Sequence, residues 1–269
     1  MKALLKKGND VQVWNRTFSK AKALETFGAK AFEQPQYAVS GASRIHLTLS
    51  DDAAVDAVLA EASQQFEPNT IIIDHTTTSA PGAANRTAYW KEKGFEYIHA
   101  PVFMGPANAL ESTGFMLISG DQKLIEKLTP ELSQMTGKLM NFGTVTNKAA
   151  SMKLLGNLFL ITLTAGISET LSLAKSLEVP SSDLHMLFDN WNPGSLVPAR
   201  LKRILNGQYS EASWELNMAR KDARLMLEQA ATDNAALNIL PAVAKEMDRW
   251  IEKGHGNEDW VVIAKDNLP

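Results

Sequence analysis

Apolar and polar positions alternate along the first half of the chain in short blocks. The runs Val11–Trp14, Arg44–Leu49, Thr70–Asp74 and Phe95–Val102 are four to eight residues long and rich in β-branched or aromatic side chains, so each predicts a strand. Between them, residues Ser19–Phe27, Asp51–Phe66 and Pro81–Lys93 repeat their apolar positions at helical spacing. Ser50-Asp51-Asp52 and Thr78-Ser79 supply N-caps for the helices that follow them. Gly114–Ser119 and Lys138–Phe142 predict two further strands around a helix at Gln122–Met135. Strands alternating with helices of this length predict an α/β domain with a doubly wound, Rossmann-type parallel sheet.

From Asn147 onward the strand pattern stops. Helical stretches run to Leu177, then Ser182–Asn190, Val197–Leu205, Trp214–Thr232 and Ile239–Lys253. The expected division is therefore an α/β domain over residues 1–146 and an all-α domain over 147–269. The first long helix would be the hinge element between them. Its stretch Leu154–Ser168 holds no charge, but it is shorter than a bilayer span and contains Asn157 and two threonines, which predicts a core helix.

Composition narrows the function classes. A net charge of −3 with no dense Lys/Arg cluster gives no footprint for nucleic acid. The absence of cysteine excludes disulfides, thiol catalysis and thiolate zinc sites, and suits a cytoplasmic location. The five histidines show no metal-ligand spacing, so no metal is expected. No membrane association is expected either.

One lysine stands out. Lys153 is the last charge before Glu169 on the long helix, and Asn157 lies one turn on, on the same face. Periodicity alone leaves two readings: a snorkelling lysine that caps an apolar helix, or an amine desolvated into the range useful for proton transfer. In a doubly wound sheet, ligands bind beyond the carboxyl ends of the strands. The loops expected there are Asn15-Arg16-Thr17, Leu49-Ser50, His75-Thr-Thr-Thr78 and Pro101–Pro106.

Six segments in order resemble the β-hydroxyacid dehydrogenases, the group of 3-hydroxyisobutyrate dehydrogenase and glyoxylate/succinic semialdehyde reductase. They are Leu4-Leu5-Lys6-Lys7-Gly8 through Asn15-Arg16-Thr17; Ile73-Asp74-His75-Thr76-Thr77; Ala100-Pro101-Val102 with Gly105-Pro106-Ala107; Gly143 to Lys153 and Asn157; Lys221-Asp222; and Gly254-His-Gly-Asn-Glu-Asp259. The resemblance implies hydride transfer between a nicotinamide and a small hydroxyacid or semialdehyde. Lys153 would be the general acid/base and Asn157 would orient the substrate. Phe103, Met104 and Gly105 would form the substrate segment, with Trp214 lining the pocket and Asp222 supporting it. Asn15, Arg16, Thr17, Leu49, Ser50, Thr77 and Lys221 would face the cofactor. It also implies a homodimer or homotetramer through the helical domain.

An acid usually follows the second strand in NAD enzymes of this fold, to hold the ribose hydroxyls. Here Asn15 and Arg16 stand there, and an arginine pairs with a 2′-phosphate, so NADP is expected, with NAD possible. Two departures from the family pattern matter. The segment reads His99-Ala-Pro-Val-Phe103-Met104-Gly105 where the family has Asp-Ala-Pro-Val-Ser-Gly-Gly, so an aromatic ring replaces the carboxylate-binding hydroxyl. Backbone N–H groups at 104 and 105 could still take an anion. The alternative substrate is then a more apolar carbonyl or an imine.

The second departure is the missing Gly-x-Gly-x-x-Gly turn; the one Gly-x-Gly, Gly254-His-Gly256, lies near the other end. The sequence reads as starting inside the helix after that turn. That predicts an internal methionine of a longer chain or, failing that, a shortened, non-catalytic relative. The strand it lacks would be central, leaving two neighbours short of a pairing partner.

Overall fold

A computed structural model describes residues 1–233 and 235–268. The chain divides into two compact units, Met1–Leu158 and Phe159–Pro269. That division falls inside the long helix, beyond the expected 146/147, and the start of that helix meets the first unit at Ser119 and Phe103.

The first unit is α/β. Its strands are β1 (Gln12–Trp14), β2 (Lys30–Phe32), β3 (Arg44–Leu47), β4 (Ile71–Asp74), β5 (Glu96–His99), β6 (Val102–Phe103), β7 (Phe115–Ile118) and β8 (Lys138–Asn141). They form three hydrogen-bonded sheets, β1-β2, β3-β4-β5 and β6-β7-β8, rather than one continuous sheet. Pairing is parallel throughout except between β6 and β7. The single strand expected over Phe95–Val102 is two strands, broken at Pro101, which has no N–H to donate.

Seven helices complete the first unit's connections: α1 (Lys2–Lys6), α2 (Phe18–Lys22), α3 (Pro35–Val39), α4 (Asp52–Ala62), α5 (Ala80–Glu92), α6 (Pro106–Glu111) and α7 (Gln122–Leu132). The expected caps form: Asp51 Oδ1 accepts from Ala54 N–H at 2.9 Å, and Ser79 Oγ accepts from Gly82 N–H at 3.0 Å. Two apolar clusters fill the unit. One joins Ile71, Ile73 and Ile98 to Met116, Ile118 and α7; the other joins Ile45, Leu47, Ile72 and Tyr97 to α4 and Trp90.

The long helix α8 (Lys148–Ser176) belongs to both units. Ser119, at the end of β7, fixes its start: the buried hydroxyl accepts from Ala149 N–H at 2.8 Å. In length and composition α8 could cross a membrane. It is not the core helix expected from its sequence, because Leu155, Phe159, Leu160, Ile161 and Leu163 are all exposed in the chain.

The second unit continues with α9 (Ser181–Asn190), α10 (Val197–Leu205), α11 (Leu216–Thr232) and α12 (Leu240–Trp250). Its core gathers Leu216, Ala219 and Ala223 of α11 with Ala244, Met247 and Trp250 of α12, closed by Val261 and Val262. Glu169 of α8 caps α12, accepting from the N–H groups of Asn238, Ile239 and Leu240.

Candidate functional site

Three of the expected residues meet around one amine in the first unit. The Lys153 side chain is buried, with 8% of its surface exposed. Its Nζ donates to Asn157 Oδ1 at 3.1 Å and lies 4.0 Å from the centroid of the Phe103 ring. Loss of hydration holds the amine below the ordinary lysine range. The ring face, negative at its centre, acts the other way and favours the cation. An ammonium has three N–H donors. One goes to Asn157 and one faces the ring, which leaves the third for a substrate oxygen.

The backbone builds this contact deliberately. Phe103 ends β6, and its carbonyl backs onto Gly114, where an added Cβ would lie 2.8 Å from that oxygen. Gly114 also has φ +80°, so only glycine serves there without strain. On the other side the ring lies against Gly156 of α8, whose missing Cβ would sit 2.3 Å from Phe103 Cζ. Met104 packs on the β7–α7 core. Gly105 is exposed, and its N–H donates to Asn108 Oδ1 at 3.0 Å, so that donor is not free for an anion as the sequence allowed.

The strand-end loops carry the remaining first-unit residues. Asn15, Arg16 and Thr17 follow β1, exposed, in an Asx turn closed by Thr17 N–H on Asn15 Oδ1 at 2.9 Å. Leu49 and Ser50 follow β3, and Thr77 follows β4. The last two loops are joined, since Leu49 N–H donates to Thr76 Oγ at 3.0 Å. Thr77 and Ser50 point to solvent while Thr76 and Thr78 are buried.

A buried polar network, not foreseen from the sequence, holds the Thr76–Thr78 turn. Asp74 accepts from Thr76 N–H at 2.9 Å and from the Tyr97 hydroxyl at 2.7 Å. Arg86 donates to that hydroxyl at 3.1 Å and bridges to Asp52 and Asp56. His99 donates through Nε2 to Thr76 O at 2.8 Å. Beside this network the half-buried His75 ring stacks on His46, with 5.3 Å between centroids. His75 Nδ1 is 2.7 Å from Ala100 O and its Nε2 is 3.0 Å from His46 Nδ1. The carbonyl can only accept, so Nδ1 carries the His75 proton and Nε2 receives one from His46. Burial and the neighbouring His46 charge push His75 down to about 3.

Trp214, Lys221 and Asp222 belong to the second unit. Trp214 stands edge-on to Trp260, 5.6 Å between centroids. The loop before it is fixed by buried Asp259, which accepts from Ser213 N–H and Oγ and from Arg203. Lys221 and Asp222 pair with each other at 2.8 Å, and neither contacts Trp214 through a hydrogen bond.

A nicotinamide dinucleotide is matched in part by these groups. Exposed hydroxyls and Arg16 stand at the carboxyl ends of parallel strands, and no carboxylate replaces Asn15, but the described residues include no glycine-rich pyrophosphate cradle.

The chain is 25% identical to glyoxylate/succinic semialdehyde reductase 1 of Arabidopsis thaliana, over 97% of this chain and 91% of that protein. It is 26% identical to an uncharacterised oxidoreductase of Bacillus subtilis, over 97% and 93%. The fold is that of the imine reductase from Myxococcus stipitatus in complex with NADP+, at TM-score 0.91 and 19% identity, covering 98% of this chain and 93% of that one. Residues 1–143 match the NAD binding domain of 6-phosphogluconate dehydrogenase. With that domain and these relatives, the chain belongs to the β-hydroxyacid dehydrogenase family of NAD(P)-binding oxidoreductases.

Proposed function

We propose that this chain is an NADP-preferring reductase acting on a small carbonyl compound, with Lys153 as the general acid and base. The observation that carries the reading is the Lys153 amine itself: buried, oriented by Asn157, and lowered towards useful proton transfer. In the reducing direction its third N–H gives a proton to the carbonyl oxygen, and water restores it. In the oxidising direction the neutral amine takes the proton from the alcohol. Asn157 holds Nζ in place through both. The nicotinamide, when bound, supplies or accepts the hydride.

Arg16, beside Asn15 and Thr17, would hold a 2′-phosphate, while Leu49, Ser50 and Thr77 would line the remainder of the nucleotide site. NAD remains compatible with the hydroxyls. Two substrate classes have support. The small hydroxyacid or semialdehyde is supported by the plant relative, whose name gives glyoxylate and succinic semialdehyde as what it reduces. A more apolar carbonyl, or an imine, is favoured by Phe103 on Lys153.

The site test is NADPH titration by tryptophan fluorescence, followed by an aldehyde panel against Lys153→Ala. Quenching, with turnover in the parent alone, supports the reading. No binding at millimolar NADPH would make this a non-catalytic chain. Arg16→Ala should raise KM for NADPH and spare that for NADH. We also propose a cytoplasmic homodimer or homotetramer in which a second copy covers the exposed apolar face of α8.

A further inference from the structure

Phe103 stands over the Lys153 amine, and three features of its setting determine what can approach that amine. Gly114 lies against the Phe103 backbone carbonyl, and Gly156 lies against the tip of its ring. The ring is therefore built into the site rather than swung across it by chance. Its face looks at Nζ from 4.0 Å, so a ligand reaching the amine meets the ring as well. One of the two loop donors, Gly105 N–H, is already spent on Asn108 Oδ1.

A carboxylate arriving beside this ring would lose hydration, would face the negative centre of the π system, and would compete for the Lys153 N–H that the reacting oxygen needs. An alkyl chain would lose little and would pack on the ring. The single free N–H of Lys153 is then reserved for the oxygen that is being protonated.

We propose that Phe103 is the specificity-determining residue of this site, and that the substrate is an uncharged aldehyde or ketone with an apolar chain rather than a carboxylate-bearing semialdehyde. The inference rests on Lys153 being the proton donor of a carbonyl reduction. The reaction balances as hydride to the carbonyl carbon and a proton from Lys153 to its oxygen, giving an alcohol and oxidised nicotinamide.

Two aldehydes of equal length and opposite character test it: hexanal and 6-oxohexanoate, each with NADPH. The parent should favour hexanal in kcat/KM by about tenfold or more, the scale of burying one or two methylenes against the ring. Phe103→Ser should narrow or invert that ratio. Gly156→Ala, which moves the ring without removing it, should narrow it too; circular dichroism confirms that both variants fold. A parent that prefers 6-oxohexanoate, or an unchanged ratio in folded Phe103→Ser, overturns the proposal.

If the parent turns over neither aldehyde, the assignment of the reaction fails, and the substrate class is read without turnover. Lys153 acetylation by acetic anhydride, followed by mass spectrometry, should be slowed several-fold by 1-hexanol and not by 6-hydroxyhexanoate. Phe103→Ser should acetylate faster and lose the distinction. Equal protection by the two alcohols also overturns the proposal.

Discussion

Lys153 and His75 are both depressed bases, and they have different consequences. For Lys153 the consequence is kinetic. Reduction needs the ammonium and oxidation needs the amine, so reduction should fall, and oxidation rise, as pH climbs through a midpoint below the ordinary lysine range. Initial rates in the two directions across pH 6 to 10 would show limbs of opposite sign. Two limbs of the same sign, or none, would remove Lys153 from the proton transfer.

For His75 the consequence is stability. Its folded-state value of about 3 lies below the unfolded value of 6.5. Above 6.5 both states are neutral and the interaction is fully present. Between 6.5 and 3 the unfolded chain takes a proton that the folded chain refuses, so stability is lost as pH falls. The loss should be on the order of 3 kcal/mol at pH 4.5, two units below the unfolded value. Urea unfolding at pH 7 and pH 4.5 reads it, and His75→Gln, which keeps a donor for Ala100 O, should flatten the difference. An equal slope in the variant would place the acid sensitivity elsewhere.

At the scale of elements, α8 carries two glycines whose replacement should act in opposite directions. Alanine in a helix interior is normally favoured over glycine by about 1 kcal/mol. Gly166 has nothing within 4 Å of an added Cβ, so Gly166→Ala should stabilise by about that amount. Gly156→Ala should destabilise instead, because its Cβ would lie 2.3 Å from Phe103 Cζ and would force the ring off its present place. Urea midpoints of the two variants decide it; a stabilised Gly156→Ala would mean that the ring moves freely. The contrast also marks how far the sequence could be read. Lys153 and Asn157 were legible because helical spacing puts them on one face. Phe103 was legible as a departure, but its place on the amine depends on two remote glycines that no periodicity reveals.

The same limit explains the elements. The isoleucine run of β4 and the Asp51 and Ser79 caps declare themselves locally. β2, α3 and α6 are three to six residues long and carry no such signal. The Asp74–Tyr97–Arg86 network was invisible for a different cause. Its members lie on β4, β5 and α5, and only parallel pairing of Asp74 with His99 brings those strands into register.

For the molecule as a whole, the open matter is what covers α8. An apolar helix of 29 residues with 11% of its most apolar stretch buried is suited either to lipid or to protein. Its polar groups favour protein. Glu169 is committed to the N-terminus of α12, and Ser176 Oγ donates to Gln229 O at 2.9 Å. Lys153 and Asn157 bond to each other on the first turns. Glu169 and Ser176 tie the second half of the helix to α12 and α11, so a bilayer span there would have to carry those partners with it. A second copy of the chain meets the same apolar residues at no such cost, and closed pairs are the commonest solution for an exposed face of this kind. Ile161, 68% exposed at the middle of α8, is the position to probe. Ile161→Glu would bury a charge at such an interface, so sedimentation should find the parent as a dimer or tetramer and the variant shifted to monomer at the same micromolar concentration. The variant should keep its helical circular dichroism, since Ile161 has no core to disrupt within the chain. A parent that sediments as a monomer, or a variant that assembles as the parent does, would rule out α8 as the contact between copies.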